Sequence, residues 1–405
     1  MQDPGNVSSK TPSRETRACH SPANTHLPAT GTNDLCLVLG SASSMFSPLS
    51  YLDWIGEHHR RVDVDLASSV LRGNEIGYAA LLDRQVPGDR SLDEHIADHY
   101  PDVNPAMVEP TAGATHANFL VAMAALSRSI DAGISTPEIV VESPGYEPLV
   151  ETPRGLGARI TRLSRPRCQN YGVDLAALEK SLSEGTALVT ISNRHNPSGR
   201  LLDRDRLAEI AGVVQTRDAL LLVDEVYAPL VRSEKTDPAG AIGGPTAAGL
   251  PNTIITQSLT KFFGFPGLRC GWLIANEPIR SYVETMTSHL PVLSQPSMDL
   301  AGRILTNDRF EERSRSLLER NYDRLAAFAD RDTIVGHPFP GSSFAFLGHK
   351  SADGDAVVEA AKDAGVLVVP GRFFGAPNRF RVCACRPTDT VERGIGRLGA
   401  VVDGL

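Results

Sequence analysis

The chain of 405 residues is poor in cysteine: six residues, Cys19, Cys36, Cys168, Cys270, Cys383 and Cys385, none forming a CxxC pair. That excludes a disulfide scaffold and argues against metal or redox use. No uninterrupted apolar run approaches the roughly 20 residues of a membrane span. Basic residues are outnumbered, 40 against 48 acidic, for a formal charge of −8. General affinity for nucleic acid or an anionic membrane needs a basic surface, so neither is expected. The first 33 residues lack the apolar stretch of a signal peptide and are rich in Ser, Thr, Pro and Asn. Such a segment buries too little apolar surface to offset its ordering entropy, and a flexible tail over 1–35 is expected. A reducing, cytoplasmic setting fits these absences.

What is present is an ordinary globular mix, 41% apolar and 22% charged, on a chain long enough for two or three domains. From about residue 110, short apolar runs alternate with amphipathic stretches, the pattern of βα units and a mostly parallel sheet. Strands are predicted at Glu138–Glu142, Ala187–Ile191, Leu220–Val223, Thr253–Thr256 and Gly271–Ala275. Leu207, Ile210, Ala211 and Val214 recur at the spacing of a buried helical stripe, and Ala114–Ile130 reads as a longer buried helix. After about residue 295 come a charged helix over Arg309–Asp330, a strand at Ser343–Leu347, a helix over Asp355–Ala364, and strands at Val366–Val369 and Phe380–Cys383. The expected organisation is a small-domain segment at 36–75, a large domain at 76–295 and the rest of the small domain at 296–405.

Ligands of open α/β sheets bind outside the carboxyl ends of the strands. Here those ends carry chemistry. Thr111-Ala112-Gly113-Ala114-Thr115 is a small-residue turn entering a helix, suited to phosphate or simply to close packing. Ser143-Pro144-Gly145-Tyr146 offers an aromatic ring for stacking. Asn193-Arg194-His195-Asn196-Pro197-Ser198-Gly199 forms a sharp turn that aims the Asn196 amide. Asp224 follows four apolar strand residues, a costly place for a carboxylate without a cation or donors; a helix cap or a metal ligand is the alternative. Finally, Ser258-Leu259-Thr260-Lys261 leads into Gly264-Phe265-Pro266-Gly267-Leu268-Arg269-Cys270-Gly271-Trp272. A lysine in such apolar surroundings has a lowered pKa and acts as an amine nucleophile.

This last pattern, Ser-x-x-Lys followed by Gly-x-x-Gly-Leu-Arg-x-Gly-Trp, resembles the Schiff-base segment of class I/II aminotransferases, the fold-type-I pyridoxal-phosphate enzymes. The other four motifs stand in that family's order, and the resemblance runs from about residue 40 to the C-terminus. It implies an α/β fold: a large domain with a mostly parallel mixed sheet flanked by helices, plus a smaller α+β domain. It also implies pyridoxal 5′-phosphate as cofactor. Lys261 stands where the family's lysine holds the cofactor through an imine and later shuttles a proton. Asp224 resembles the carboxylate facing the pyridine nitrogen, and Tyr227 and Asn196 the pair on the phenolic oxygen. Tyr146 resembles the stacking aromatic. Gly113, Ala114 and Thr115 match the phosphate turn, with Ser258 and Arg269 as its other anchors. Lys261, Asp224 and Tyr227 are thereby the expected catalytic residues.

Arg379 and Arg381 alternate in a strand-like run near the C-terminus. The resemblance assigns substrate α-carboxylate binding to an arginine so placed. Arg381 is the candidate and Arg379 the alternative, with Asn196 beside it and Asn193 near the same carboxylate. An inward arginine without an anion is costly. Some departures stand out. The family's N-terminal substrate loop has Asp65-Leu66-Ala67-Ser68-Ser69 in its place. The tyrosine lent to a neighbouring subunit corresponds to Tyr78, at a long spacing from Gly88. Arg372 and Arg194 are the candidates for a second, side-chain-reading arginine. His195 is expected to position rather than to exchange protons. His58-His59-Arg60-Arg61 reads as a solvated helix face, Cys383-x-Cys385 reads as packing, and no metal site is expected. The implied activity is amino-group exchange between an amino acid and a 2-oxo acid by a ping-pong mechanism, in a homodimer. Decarboxylation, elimination or oxidation on the same cofactor is the alternative. A non-catalytic effector-binding domain of a transcription regulator is a distant third, because such regulators carry an N-terminal winged helix-turn-helix and this tail is short and polar.

Overall fold

A computed structural model describes residues 45–72, 90–228, 245–290 and 292–405. The expected tail, Tyr78 and Gly88 lie outside the described residues. In chain order the strands are β1 Val64–Asp65, β2 Val108–Thr111, β3 Glu138–Ser143, β4 Arg159–Ser164, β5 Thr186–Ser192, β6 Leu220–Asp224, β7 Thr253–Ser258, β8 Gly271–Ala275, β9 Ile334–Val335, β10 Phe344–His349, β11 Val366–Leu367, β12 Val369–Pro370 and β13 Arg379–Cys383. The helices are α1 Ser50–His58, α2 Leu92–Ala97, α3 Ala114–Asp131, α4 Pro148–Gly155, α5 Leu175–Ser181, α6 Arg204–Gln215, α7 Ile279–His289, α8 Gln295–Leu305, α9 Asp308–Ala329, α10 Gly354–Asp363 and α11 Thr388–Asp403.

The main sheet has seven strands in the order β2-β8-β7-β6-β5-β3-β4. Strands β7, β6, β5, β3 and β4 are parallel, and β8 runs against both β7 and β2. Both faces are covered. Val140, Val189, Leu221, Val223 and Ile255 enter one core, with Leu207, Ile210 and Val214 of α6. Their neighbours Ile139, Val141, Leu188, Leu222 and Ile254 enter the opposite core, with Leu120, Val121 and Ala125 of α3. The two-residue period of a strand thus supplies two cores at once, which is why these strands read as continuous apolar runs. The five predicted central strands all form.

Two strands of the main sheet escaped the sequence reading, as did the two-residue β1 and β9. β2 is four residues long and contains Pro110, which an edge strand tolerates. β4, the opposite edge, reads Arg-Ile-Thr-Arg-Leu-Ser and is mostly solvated. The strand expected over Val366–Val369 is two short ones. β11 pairs in parallel with β1, and β12 pairs with β13, so one run of chain serves two sheets. β12, β13, β10 and β9 form an antiparallel sheet in which Arg381 lies opposite Phe346 and Val369. The segment after β1 runs beside β13, with Cys383 N–H donating to the Leu66 carbonyl at 2.8 Å. This brings residues 64–69 next to Arg381.

Candidate active site

The carboxyl ends of β2, β3, β5, β6 and β7 open on one cavity of about 230 Å³. Its walls include Ala114, Thr115, Tyr146, Asn196, Asp224, Tyr227, Ser258, Lys261 and Arg269, nine of the eleven residues expected at a site. The tenth, Gly113, lies directly beneath. It caps α3 with φ of +88°, a region that side-chain-bearing residues rarely adopt, and no side chain caps the helix. The first N–H groups of this 18-residue helix are therefore free toward the cavity. A Cβ at position 113 would stand 2.9 Å from Arg269 Nη2. Arg269 donates from the same nitrogen to the Ala112 carbonyl at 3.2 Å, which lays its guanidinium along the turn.

Asp224, the last residue of β6, is 4% exposed. Its Oδ2 accepts from the Asn118 amide at 3.0 Å and its Oδ1 from the Val226 N–H at 3.1 Å. Asn118 is steadied in turn by the Thr256 hydroxyl, which donates to its Oδ1 at 2.7 Å. Burial raises the Asp224 pKa, and these two donors, with Lys261, oppose the rise. Two accepted bonds leave half of a carboxylate's acceptor sites for a ligand N–H. Tyr146 stands edge-on to Tyr51, their ring centroids 5.9 Å apart.

Lys261 Nζ donates to the Ser69 hydroxyl at 3.1 Å, and the same oxygen pairs with the Tyr227 hydroxyl at 2.9 Å. Burial above all, and the charge of Arg381, lower the Lys261 pKa. Burial pushes the Tyr227 phenol up to about 12, so it stays protonated at neutral pH. Ser258 Oγ accepts the Thr260 N–H at 2.9 Å, tightening the turn into Lys261.

Arg381, the eleventh residue, does not line the cavity. It is fully buried one side chain behind it, where Nη1 donates to Asn196 Oδ1 at 2.6 Å. Nη2 donates to the Tyr51 hydroxyl at 3.0 Å and to the Ala67 carbonyl at 3.1 Å. Its guanidinium carbon sits 5.0 Å from the Phe374 ring centroid and 5.6 Å from that of Phe344, an aromatic sleeve for a cation. Arg379, the alternative, lies half-buried outside this cluster.

Several expectations are corrected. Asn193 does not line the cavity: its amide closes the turn by donating to the Leu202 carbonyl at 3.1 Å and accepting the Leu202 N–H at 2.8 Å. Arg372 pairs with Asp355 on the surface. Arg194 is buried and donates to the Pro340 carbonyl at 2.7 Å. Neither reaches the cavity wall. His195 is buried between the Ser198 hydroxyl, at 2.7 Å, and the Pro144 carbonyl, at 2.8 Å, a tie between two site loops. No cluster of three metal-ligating side chains occurs among the described residues, nor any helix long and apolar enough to cross a membrane.

Other contributors escaped the sequence reading. Asn118 lies four residues after Ala114, hence on the same helix face, and that spacing was the available signal. Ser69 meets the site only through long-range folding, its one signal being its place in the Asp65–Ser69 segment at the family's substrate loop, and Tyr51 gave none. Beneath them lies the buried pair Arg165–Glu142, both fully inaccessible. Glu142 accepts the Ser192 N–H at 2.9 Å and the Ser192 hydroxyl, and that hydroxyl oxygen accepts the Asn196 N–H at 3.0 Å.

A half-buried lysine and a buried aspartate facing one cavity, beside an uncapped helix start flanked by arginine, define a fold-type-I pyridoxal-phosphate site. The aminotransferase class I and II family matches residues 85–398, and the chain belongs to that family. Its cofactor is pyridoxal 5′-phosphate. The chain is 26% identical over 379 residues to a capreomycidine synthase of Streptomyces vinaceus, spanning 89% of this chain and 95% of that one. It is 25% identical over 351 residues to a valine–pyruvate aminotransferase of Mycobacterium tuberculosis, 82% and 85% covered. A pyridoxal-phosphate-dependent aminotransferase from Streptococcus suis superposes with a TM-score of 0.74 at 21% identity, over 89% of this chain and 98% of that one.

Proposed function

We propose that this enzyme is an aminotransferase that exchanges the amino group between an α-amino acid and a 2-oxo acid. The observation that carries the reading is Lys261 Nζ in one cavity with Asp224, with Arg381 immediately behind Asn196. The residues fit the cofactor. The N–H groups of Ala114 and Thr115, with Arg269 and Ser258, form a phosphate cradle whose floor is a glycine at φ of +88°, where a side chain would be strained and crowd Arg269. Asp224 keeps acceptor capacity for a ring N–H, and Asn196 and Tyr227 supply donors for a ring oxygen.

Bound there, pyridoxal phosphate supplies an electron-withdrawing ring that stabilises negative charge at the substrate Cα. Lys261 would hold it covalently, and a lowered amine pKa favours the neutral form needed for attack. Once released, the same Nζ is the base that takes the proton from the substrate Cα. Asp224, where two donors and Lys261 counter the burial that raises its pKa, would face the ring nitrogen and favour its protonated form. Ser69, between Lys261 Nζ and the Tyr227 hydroxyl, gives the amine a fixed resting position. Arg381 and Asn196 receive the α-carboxylate and orient Cα toward Nζ.

A panel of amino donors with one 2-oxo acid acceptor tests this. Equal amounts of new 2-oxo acid and new amino acid are expected, together with Cα-hydrogen exchange into deuterated water. A second reading rests on the likeness to a synthase over 89% of this chain: a reaction on an amino acid that hands no amino group to a 2-oxo acid. Exchange at Cα without transfer to any acceptor would favour it over amino transfer. A cytoplasmic homodimer completes the proposal. It is supported by the free thiols of Cys168, Cys270, Cys383 and Cys385 and by the family's habit of sharing a site between subunits.

A further inference from the structure

Arg381 is held by partners of different kinds. The Ala67 carbonyl is fixed: Ala67 is fully buried, its N–H is tied to Asp65 at 2.9 Å, and its oxygen also receives the Cys383 thiol. The Tyr51 hydroxyl is a rotor that can both accept and donate. Arg381 Nε is buried and has no hydrogen-bond partner among the described residues. The side edge of a guanidinium, Nε and Nη2 together, is the fork that a carboxylate takes with two parallel bonds. On that edge of Arg381, Nη2 already faces the Tyr51 oxygen.

We propose that Tyr51 is a substrate-binding residue that receives the α-carboxylate together with Arg381 and Asn196. This deepens the proposed function and rests on its assignment of Arg381. Three donors belong to this cluster: the Arg381 Nε–H, which has no partner among the described residues, the Asn196 amide nitrogen, whose Oδ1 is turned to Arg381, and the Tyr51 phenol. A carboxylate accepts and cannot donate, so on its arrival the hydroxyl turns from accepting the Nη2–H to donating its own proton. Tyr51 is held for this task. Its backbone N–H and that of Ser50, at the otherwise uncapped start of α1, both donate to the Glu147 carboxylate, at 2.7 and 3.1 Å. Glu147 directly follows Tyr146, so one short loop sets both a cavity wall and the helix that carries Tyr51. The next residue, Leu52, lines the cavity while 39% exposed, which places α1 as the wall the substrate meets.

The test uses Tyr51→Phe in the full-length holoenzyme. The probes are 2-methylalanine, which has no Cα hydrogen to lose, and 2-methylalaninamide, which lacks the carboxylate. Dissociation constants are read from the cofactor's absorbance. The carboxylate ligand is expected to weaken about tenfold, as for a lost hydrogen bond to a charged group, with the amide within about twofold and the melting temperature unchanged. Unchanged or tighter carboxylate binding, or equal weakening of both probes, overturns the role of Tyr51. Arg381→Gln separates the two levels. If it leaves the preference for carboxylate over amide intact, the assignment of Arg381 fails and takes this proposal with it. If it removes the preference while Tyr51→Phe does not, only the Tyr51 role fails.

Discussion

The two sides of the cavity are built from different kinds of chain. The side proposed to hold the cofactor is made of short contiguous motifs, each at the end of its own strand in one sheet. The side proposed to hold the substrate carboxylate joins Tyr51, Asn196 and Arg381, which lie up to 330 positions apart. The first needs only that neighbouring strands end level. The second needs the N-terminal segment and the small antiparallel sheet to dock correctly on the main one. The first side should tolerate drift elsewhere in the chain, whereas the second reports on the docking.

The largest break in that comparison is Lys261→Ala. It removes the one amine that lines the cavity among the described residues, so amino-group exchange should fall by about four orders of magnitude or more. The cofactor should still bind through the helix start and Arg269, now removable by dialysis. Absorbance before and after dialysis, with single-turnover assays, checks both halves. A variant that retains a tenth of the activity would remove Lys261 from the chemistry.

Gly113→Ala should act more weakly and on one side only. The methyl would stand 2.9 Å from Arg269 Nη2 and sit on a backbone with φ of +88°. Arg269 must swing away from the turn, and the strained backbone costs about 1–3 kcal/mol. Cofactor affinity, measured by titrating stripped protein, should drop about tenfold. The ratio of carboxylate to amide affinity should hold, because Arg381 and Tyr51 do not touch the turn. A changed ratio would show that the two sides are mechanically one.

This contrast also explains what was legible beforehand. The central strands, the α3 and α6 stripes and the cavity-lining motifs are local patterns, in which apolar runs and strand-end polar groups declare themselves within a few residues. The edge strands β2 and β4 were missed because edges are half-solvated and lose the apolar run. Arg381 was legible through the resemblance and as an inward arginine wanting an anion, while its contacts with Tyr51 and Ala67 depend on how β1 and α1 dock. Asn193 was misjudged for a related reason. The turn motif shows an amide, but only the folded loop shows that Leu202 occupies both of its ends.

The smallest expected effect sharpens the boundary of the site at a single strand end. Asp224 and Glu225 are adjacent, both buried, yet they face opposite ways. Asp224 lines the cavity, while Glu225 accepts the Ala247 N–H at 2.7 Å and the Thr246 hydroxyl at 2.8 Å beneath it. Burial raises Glu225 from the usual 4.5 to about 8, against those two donors. A raised acid favours the folded state while it is protonated. Its contribution is therefore full below about pH 4.5 and is lost as the pH climbs through about 8. Glu225→Gln keeps the shape without the titration. The melting temperature of the parent relative to this variant should accordingly be highest near pH 5 and fall by a few °C toward pH 9. Cofactor affinity should stay within about twofold across that range, since the Glu225 carboxylate makes its hydrogen bonds to Thr246 and Ala247 and, among the described residues, none to the cavity wall, although the Asp224 charge adds to its raised pKa. A pH-independent difference would mean that Glu225 is ionised throughout. A parallel change in cofactor affinity would mean that its charge reaches Asp224, and the site would then extend one residue further than its cavity.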